Sequence, residues 1–296
     1  MGIKDFKKIF PVGVTKTKTE VYKEYGKNNS RIGIDLMSIL WTAMSANHGR
    51  LTNEEGNPTM HLTTIFNNII DMKKKGVRPI YVLDSEKKNE YKEAECKKRS
   101  EIPNRMVPSK DMVNETVELI TAMGVPVYKV DDPLLEGECL LALLNKEGII
   151  NAVVSNDMDV IMWGGKTLIA SIKGKSNKFN VIEYDDVVNY ADPPLSHDEL
   201  IKICMSVGTD FYPSKEMKKI PRIGIKTAIS KGRNVEIPVE FQKYYDYISG
   251  EKMTSDELYN LEFTDPPVDI EKIKYIMIDN NQCVKTVTDE KLKVLL

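Results

Sequence analysis

Short apolar runs that stop at aspartate recur along the chain. One is RIGID at 31–35 and a second is PIYVLD at 79–84. A third, NAVVSNDMD at 151–159, closes on both Asp157 and Asp159. Each has the length and β-branched content of a buried strand. Segments with apolar positions three and four apart separate them: MHLTTIFNNIIDMKKKG at 60–76 and EGECLLALLNKEG at 136–148. MVNETVELITAMGVPVYKV at 112–130 reads as a further helix and strand. Strands alternating with helices predict an α/β fold with a mainly parallel central sheet flanked by helices. In such sheets ligands bind beyond the carboxyl ends of the strands. Asp35, Asp84, Asp157 and Asp159 are therefore expected to converge on one edge.

The pattern changes after residue 195. SHDELIKICMSVG is an amphipathic helix with Ser196 or His197 at its cap, and TDFYPSKEMKKIPRIGIKTAIS follows. The most polar, least periodic stretch is 86–111, expected to be a mobile insertion. The last 60 or so residues mix Tyr, Lys and Glu without a sharp periodicity. No internal repeat or low-complexity tract is visible.

Composition narrows the class. At 296 residues, 41% apolar and 29% charged, the chain reads as an ordinary soluble globular protein. No apolar stretch approaches the roughly 18–20 residues of a transmembrane helix. The start, MGIKDFKKIF, lacks the apolar core of a signal peptide, and Phe6 breaks the myristoylation pattern. Cys96, Cys139, Cys204 and Cys283 form no CxxC pair and read as reduced thiols of an intracellular protein. His48, His61 and His197 are scattered, so a metal would have to sit on carboxylates. The net charge of −2 hides a basic stretch: seven Lys or Arg lie between Lys215 and Arg233 against one acid, Glu216.

Seven carboxylates stand out: Asp35, Asp84, Glu136, Glu138, Asp157, Asp159 and Asp210. Glu136 and Glu138 open a helix, where the dipole favours negative charge. Asp210 lies just past a helix end. Taken singly, each could be a cap, a turn residue or a solvated charge. Several on one sheet edge would repel by several kcal/mol unless cations neutralise them. Hard oxygen ligands without His or Cys suit Mg²⁺ or Mn²⁺. Two such ions roughly 4 Å apart are the usual apparatus for phosphodiester hydrolysis.

These blocks resemble the flap endonuclease/XPG family of structure-specific 5′ nucleases over about residues 1–230. MGIKDF, IGIDLMSILW, LTNEEGNPTMHL, GVRPIYVLD, LEGEC, SNDMDVIMWG and VGTDF…IGIKTA stand in the family's order. The resemblance implies a PIN-like 5′ nuclease fold with a helix-hairpin-helix segment. It also implies two Mg²⁺ ions, replaceable by Mn²⁺, held by all seven carboxylates. The implied division is a catalytic domain over 1–240, with an N-terminal block 1–85, an arch-like insertion 86–111, an internal block 112–195 and the hairpin segment 196–233. An extension over 241–296 is expected to pack on it.

Within the arch-like segment, Lys92 and Arg99 match the family's basic pair at the scissile phosphate, after a one-residue insertion. They lie seven apart, two turns along one face of a helix. The segment after Arg99 is shorter than in flap endonucleases, so the helical cap is expected to be missing or reduced. In IPRIGIKTA, Gly224 would let the backbone turn amides toward a phosphate, with Lys226 at a helix start. Arg222 stands where the family has glycine, and the loop from Asp210 to Gly224 is longer than usual. A monovalent cation at this hairpin belongs to the same implication. Trp41 matches a DNA-stacking aromatic. Glu54, Glu55 and Thr59 match a loop that receives a one-nucleotide 3′ flap, with Asn57 replacing an acid. Gly2 matches a small N-terminal residue beside the DNA.

The implied partner is branched, flapped, nicked or gapped double-stranded DNA, bound by a monomer without a membrane. No sliding-clamp motif is visible near DEKLKVLL, so a clamp partner has no support. An Xrn-type 5′→3′ exoribonuclease shares the MG start, the EGE and a DxDLIM-like block, but LTNEEGNPTMHL and the 220–228 hairpin count against it. A catalytically silent DNA-binding scaffold is the third reading, and the complete acidic set counts against that one.

Overall fold

A computed structural model describes residues 2–27, 30–47, 52–87, 89–102, 107–172, 175–211 and 224–296. Their strands form one sheet: β1 Val14–Thr17, β2 Arg31–Asp35, β3 Arg78–Leu83, β4 Val127–Lys129, β5 Ala152–Val154, β6 Thr167–Ile172 and β7 Lys175–Glu183. The order is β1-β7-β6-β5-β2-β3-β4. The strands from β6 to β4 run parallel, and β7 and β1 add an antiparallel edge. The parallel part follows the alternation of strand and helix runs in the sequence. The antiparallel edge has no such mark, because β7 (KSNKFNVIE) is polar along most of its length.

The helices run in chain order as α1 Phe6–Ile9, α2 Lys18–Tyr25, α3 Leu36–Asn47, α4 Met60–Lys74, α5 Glu93–Ser100, α6 Lys110–Ala122, α7 Gly137–Lys146, α8 Asp159–Met162, α9 Tyr184–Val188, α10 His197–Val207, α11 Ala228–Gly232 and α12 Gln242–Ser249. Short helical turns continue to Leu292. None of the described helices is long and apolar enough to cross a membrane.

Alternate residues of the central strands feed two cores. Ile80, Val82 and Val153 join α7, α8, α10 and α12 on one face. Ile32, Ile34, Tyr81 and Ala152 join α4 and α6 on the other. Each fully buried Leu or Ile contributes roughly 1.5–3 kcal/mol. Helix α7 lies flush on β2 because residue 33 is glycine. A Cβ there would strike Leu141 and Ile150. That close approach sets where the N-terminus of α7 meets the strand ends.

Residues 241–296 are laced into both cores. Phe241, Tyr244, Tyr247 and Ile248 enter the first, and Ile273, Ile276, Met277, Leu292 and Leu295 the second. Several helices here are four or five residues long, too short for a helical period to show in the sequence. The 86–111 stretch, expected to be a mobile insertion, carries a 3₁₀ turn at Glu90–Lys92 that leads directly into α5. At α10 the cap is Ser196, in a reciprocal capping box with Glu199.

Candidate metal centre and active site

Register brings the acids together. Strand β2 pairs Ile34 with Tyr81 of β3 and with Val154 of β5, so the three strands end level. Asp35 is the last residue of β2, Asp84 follows β3, and the 155–159 turn follows β5. One cleft is lined by Asp35, Asp84, Glu136, Glu138, Asp157, Lys92 and Arg99, with Trp41 on its wall.

Backbone and hydroxyl donors hold several of these carboxylates. Asp35 accepts from the Ser38 amide at 3.0 Å and the Ser155 hydroxyl at 2.8 Å. Asp84 accepts from the Gly137 amide at 2.6 Å. Asp157 accepts from the Asp159 amide at 3.1 Å, closing the turn that aims both acids inward. Asp159 is 0% exposed, and neither of its oxygens accepts a hydrogen bond from the described residues. An ionised carboxylate buried that way is costly, and a hard cation would satisfy it. Glu138, Asp157 and Asp159 can each bring one oxygen within 4.8 Å of the others, as ligands of one ion would.

Electrostatics show the same deficit of positive charge. Burial, then the charge of Glu138, pushes Asp84 up to about 6. Burial pushes Glu136 up to about 8. Asp35 and Asp159 are raised well above the ordinary range, first by burial and then by Glu138 and Asp157 respectively. Asp157 is raised by burial and Glu138. Burial also works against Glu138, but Lys92 and a backbone amide outweigh it and hold its carboxyl low. Burial and mutual repulsion disfavour full ionisation of the set, and added cations would favour it.

Among the described residues, Lys92 and Arg99 pair directly with these acids. The Lys92 ammonium sits 2.6 Å from Glu136, 3.1 Å from Glu138 and 3.8 Å from Asp159. Burial opposes its charge, yet the surrounding acids hold it protonated well above the usual lysine range. Arg99 pairs with Asp210 and, at 2.9 Å, with Glu95. Lys92 closes the 3₁₀ turn and Arg99 lies in α5, and both reach the acids as two helical turns on one face would allow.

Other expected site residues are placed differently. Gly2 touches carboxylates: its amide donates to Asp210 at 3.2 Å, and a Cβ there would collide with Asp157 and Asp159. Its φ of 77° is also one that glycine tolerates best. Glu54 and Glu55 are exposed, Thr59 is buried before α4, and none of the three lines the cleft. Gly224 is exposed, its φ is outside the left-handed region, and among the described residues a Cβ there would meet nothing within 4 Å. Lys226 is exposed in the turn Ile225–Thr227 before α11, which packs on α10 through Gly232 against Ile203. Arg222 lies outside the described residues.

The structure adds residues that sequence reasoning missed. Ser38 and Ser155 orient Asp35, and only their place beside the strand-end acids could have flagged them. Gln282 accepts from the Glu54 amide at 2.7 Å and so ties the 52–58 loop to the C-terminal segment. No local pattern marks that long-range contact.

The XPG N-terminal domain family matches residues 1–105 and the XPG I-region family matches 128–210. Flap endonuclease 1 of Nanoarchaeum equitans is 28% identical, covering 87% of this chain and 81% of the relative. Flap endonuclease 1 of Picrophilus torridus is 26% identical, covering 84% and 81%. Flap endonuclease-1 from Methanococcus jannaschii shares the fold, with a TM-score of 0.73, 22% identity and 96% of both chains covered. The catalytic core of Rad2 in complex with DNA substrate shares it too, at 0.71, 16% identity and 100% of both chains. A mainly parallel sheet with carboxylates gathered at its strand ends, and both XPG regions in order, define a nuclease. The chain belongs to the flap endonuclease/XPG family.

Proposed function

We propose that the chain is a Mg²⁺-dependent DNA nuclease that hydrolyses phosphodiester bonds near single-/double-strand junctions, as a 5′ flap endonuclease, a 5′→3′ exonuclease or both. The observation that carries this reading is the buried, unsatisfied Asp159 among converging acids, with two cations of the chain already drawn to them. Asp35, Asp84, Glu136, Glu138, Asp157, Asp159 and Asp210 would hold two Mg²⁺ ions, with Mn²⁺ able to substitute. When bound, the ions supply an acidified water as nucleophile and positive charge for the leaving 3′ oxygen.

The chain's own residues do the rest. In the DNA-free protein Lys92 and Arg99 are spent on carboxylates. A scissile phosphate entering the cleft competes for both, and their charge then offsets what develops on the phosphoryl oxygens. Trp41, on the cleft wall, offers a face on which a base can stack, worth about 1–3 kcal/mol. Lys226, with Arg222 and a monovalent cation at the hairpin, grips duplex phosphates away from the cut. Such contacts give affinity and register, not base sequence. The loop bearing Glu54, Glu55 and Thr59, held by Gln282, receives the 3′ end.

The test is cleavage of a labelled panel in Mg²⁺: double flap, nick, gapped duplex, Holliday junction and single-stranded RNA. Cutting confined to DNA junctions is expected. Asp157→Ala should abolish it while binding of the same DNA in Ca²⁺ persists. Degradation of the RNA alone would replace this reading by the exoribonuclease one, and retained cleavage by Asp157→Ala would remove the metal assignment.

A further inference from the structure

Tyr247 lies on α12, outside both matched family regions, yet it reaches the site's supporting shell. Its hydroxyl donates to the Leu134 carbonyl at 2.8 Å. The same oxygen accepts from the Asn89 side-chain amide at 2.8 Å. Asn89 in turn accepts from the Tyr91 backbone amide at 3.0 Å, which caps the 3₁₀ turn that ends in Lys92. Leu134 is two residues before Glu136. One phenol therefore ties together the two segments whose ends, Lys92 and Glu136, meet at 2.6 Å.

The ring completes the arrangement. Tyr91 stacks on Tyr247 with centroids 4.2 Å apart and planes 13° from parallel. Phe211, next to Asp210, packs against Tyr247 at 5.5 Å. The Lys92 ammonium lies 4.4 Å from the centre of the Phe211 ring. Asn89 is buried, 7% exposed, so the hydroxyl chain is shielded from water and each bond in it constrains the next. A misplacement of about 1 Å at a reacting group can cost on the order of a hundredfold in rate.

We infer that Tyr247 is a positioning residue for Lys92: through Asn89 and Leu134 it fixes where the ammonium stands relative to the carboxylates and the scissile phosphate. The inference rests on the role given to Lys92 above. Tyr247 is not among the residues that line the acid cleft.

The experiment is a double-mutant cycle under single-turnover conditions with saturating Mg²⁺ and flap DNA. Tyr247→Phe keeps the ring and removes only the hydroxyl. It should lower the cleavage rate about tenfold, because the segments carrying Lys92 and Glu136 lose the hydroxyl that ties them together. The dissociation constant for DNA in Ca²⁺ should stay within about twofold. Asn89→Ala should reproduce the effect. In a Lys92→Met background, Tyr247→Phe should add less than a twofold further loss, because the group it positions is gone. An unchanged rate in Tyr247→Phe, or the same tenfold loss with and without Lys92, would overturn the inference. Full activity of Lys92→Met alone would instead remove the role of Lys92, and the two failures are distinguishable.

Discussion

Replacing Lys92 by Met tests whether an internal ammonium neutralises the acids when no metal is bound. Methionine keeps the length and apolar stem of a side chain that is 13% exposed, so the change isolates the charge. The ammonium contacts Glu136, Glu138 and Asp159 at 2.6, 3.1 and 3.8 Å. Removing one partner from a buried ion pair costs about 3–5 kcal/mol, because the remaining charges are left uncompensated. Proton uptake limits that loss. Asp84 and Glu136 already sit at about 6 and about 8, and both rise further once Lys92 stops holding them down. Their folded values exceed the unfolded ones, so protonation favours the folded state, and the variant's deficit shrinks as pH falls. At about 2 °C per kcal/mol, the low end for a chain of this size, the melting temperature in EDTA at pH 8 should drop by about 6–10 °C. At pH 5 the drop should be markedly smaller. Mg²⁺ restores the missing charge, and stabilisation by a bound ligand grows as its affinity rises. The Mg²⁺-induced rise in melting temperature should therefore be larger in Lys92→Met than in the parent. Equal melting temperatures in EDTA at pH 8, with equal Mg²⁺ shifts, would refute the reasoning.

Three further outcomes follow from other residues. His61 is 1% exposed with both ring nitrogens unpartnered among the described residues, and burial lowers it to about 4. The unfolded chain takes up its proton near pH 6.5 and the folded one does not, so about 3 kcal/mol of stability should be lost between roughly pH 6.5 and 4. His61→Leu should flatten that part of a melting-temperature-versus-pH curve, and an unflattened curve would clear His61. DNA affinity should fall steeply with salt, and Lys226→Ala should weaken binding and reduce the slope of log K against log salt by about one. An unchanged slope would make Lys226 a solvated surface charge. Only nine residues separate Ser100, the end of α5, from Lys110, the start of α6, too few to enclose a strand. Streptavidin on a 5′-biotinylated flap, added before enzyme, should leave cleavage near the unblocked rate; complete protection would mean that a closed arch forms.

The acidic half of the site was legible because it is local. Each aspartate ends or follows an apolar run, and a parallel sheet with level strands does the rest. Lys92 and Arg99 were legible only through the resemblance, since a Glu/Lys-rich run is ordinarily a solvated helix face. That a Cβ at Gly2 would collide with Asp157 and Asp159 depends on a fold that brings residues 2 and 159 together, so no local pattern could show it. Tyr247 and Gln282 were illegible for the same reason. Tyr247 sits on an eight-residue helix and Gln282 in a loop, and their partners are far away along the chain. The β6–β7 hairpin escaped because its second strand is polar, so no alternation announced it.

The hydrogen bond from Gly2 to Asp210 spans 208 positions of the chain. Residues 35, 84, 92, 136 and 159 lie between its ends, and Tyr247 lies beyond them. During synthesis the N-terminal strands and helices leave the ribosome long before Asp210 does. A growing chain that has not yet reached Asp210 lacks one of the seven acids, so the cluster closes only late in synthesis, when both ends of this hydrogen bond are available.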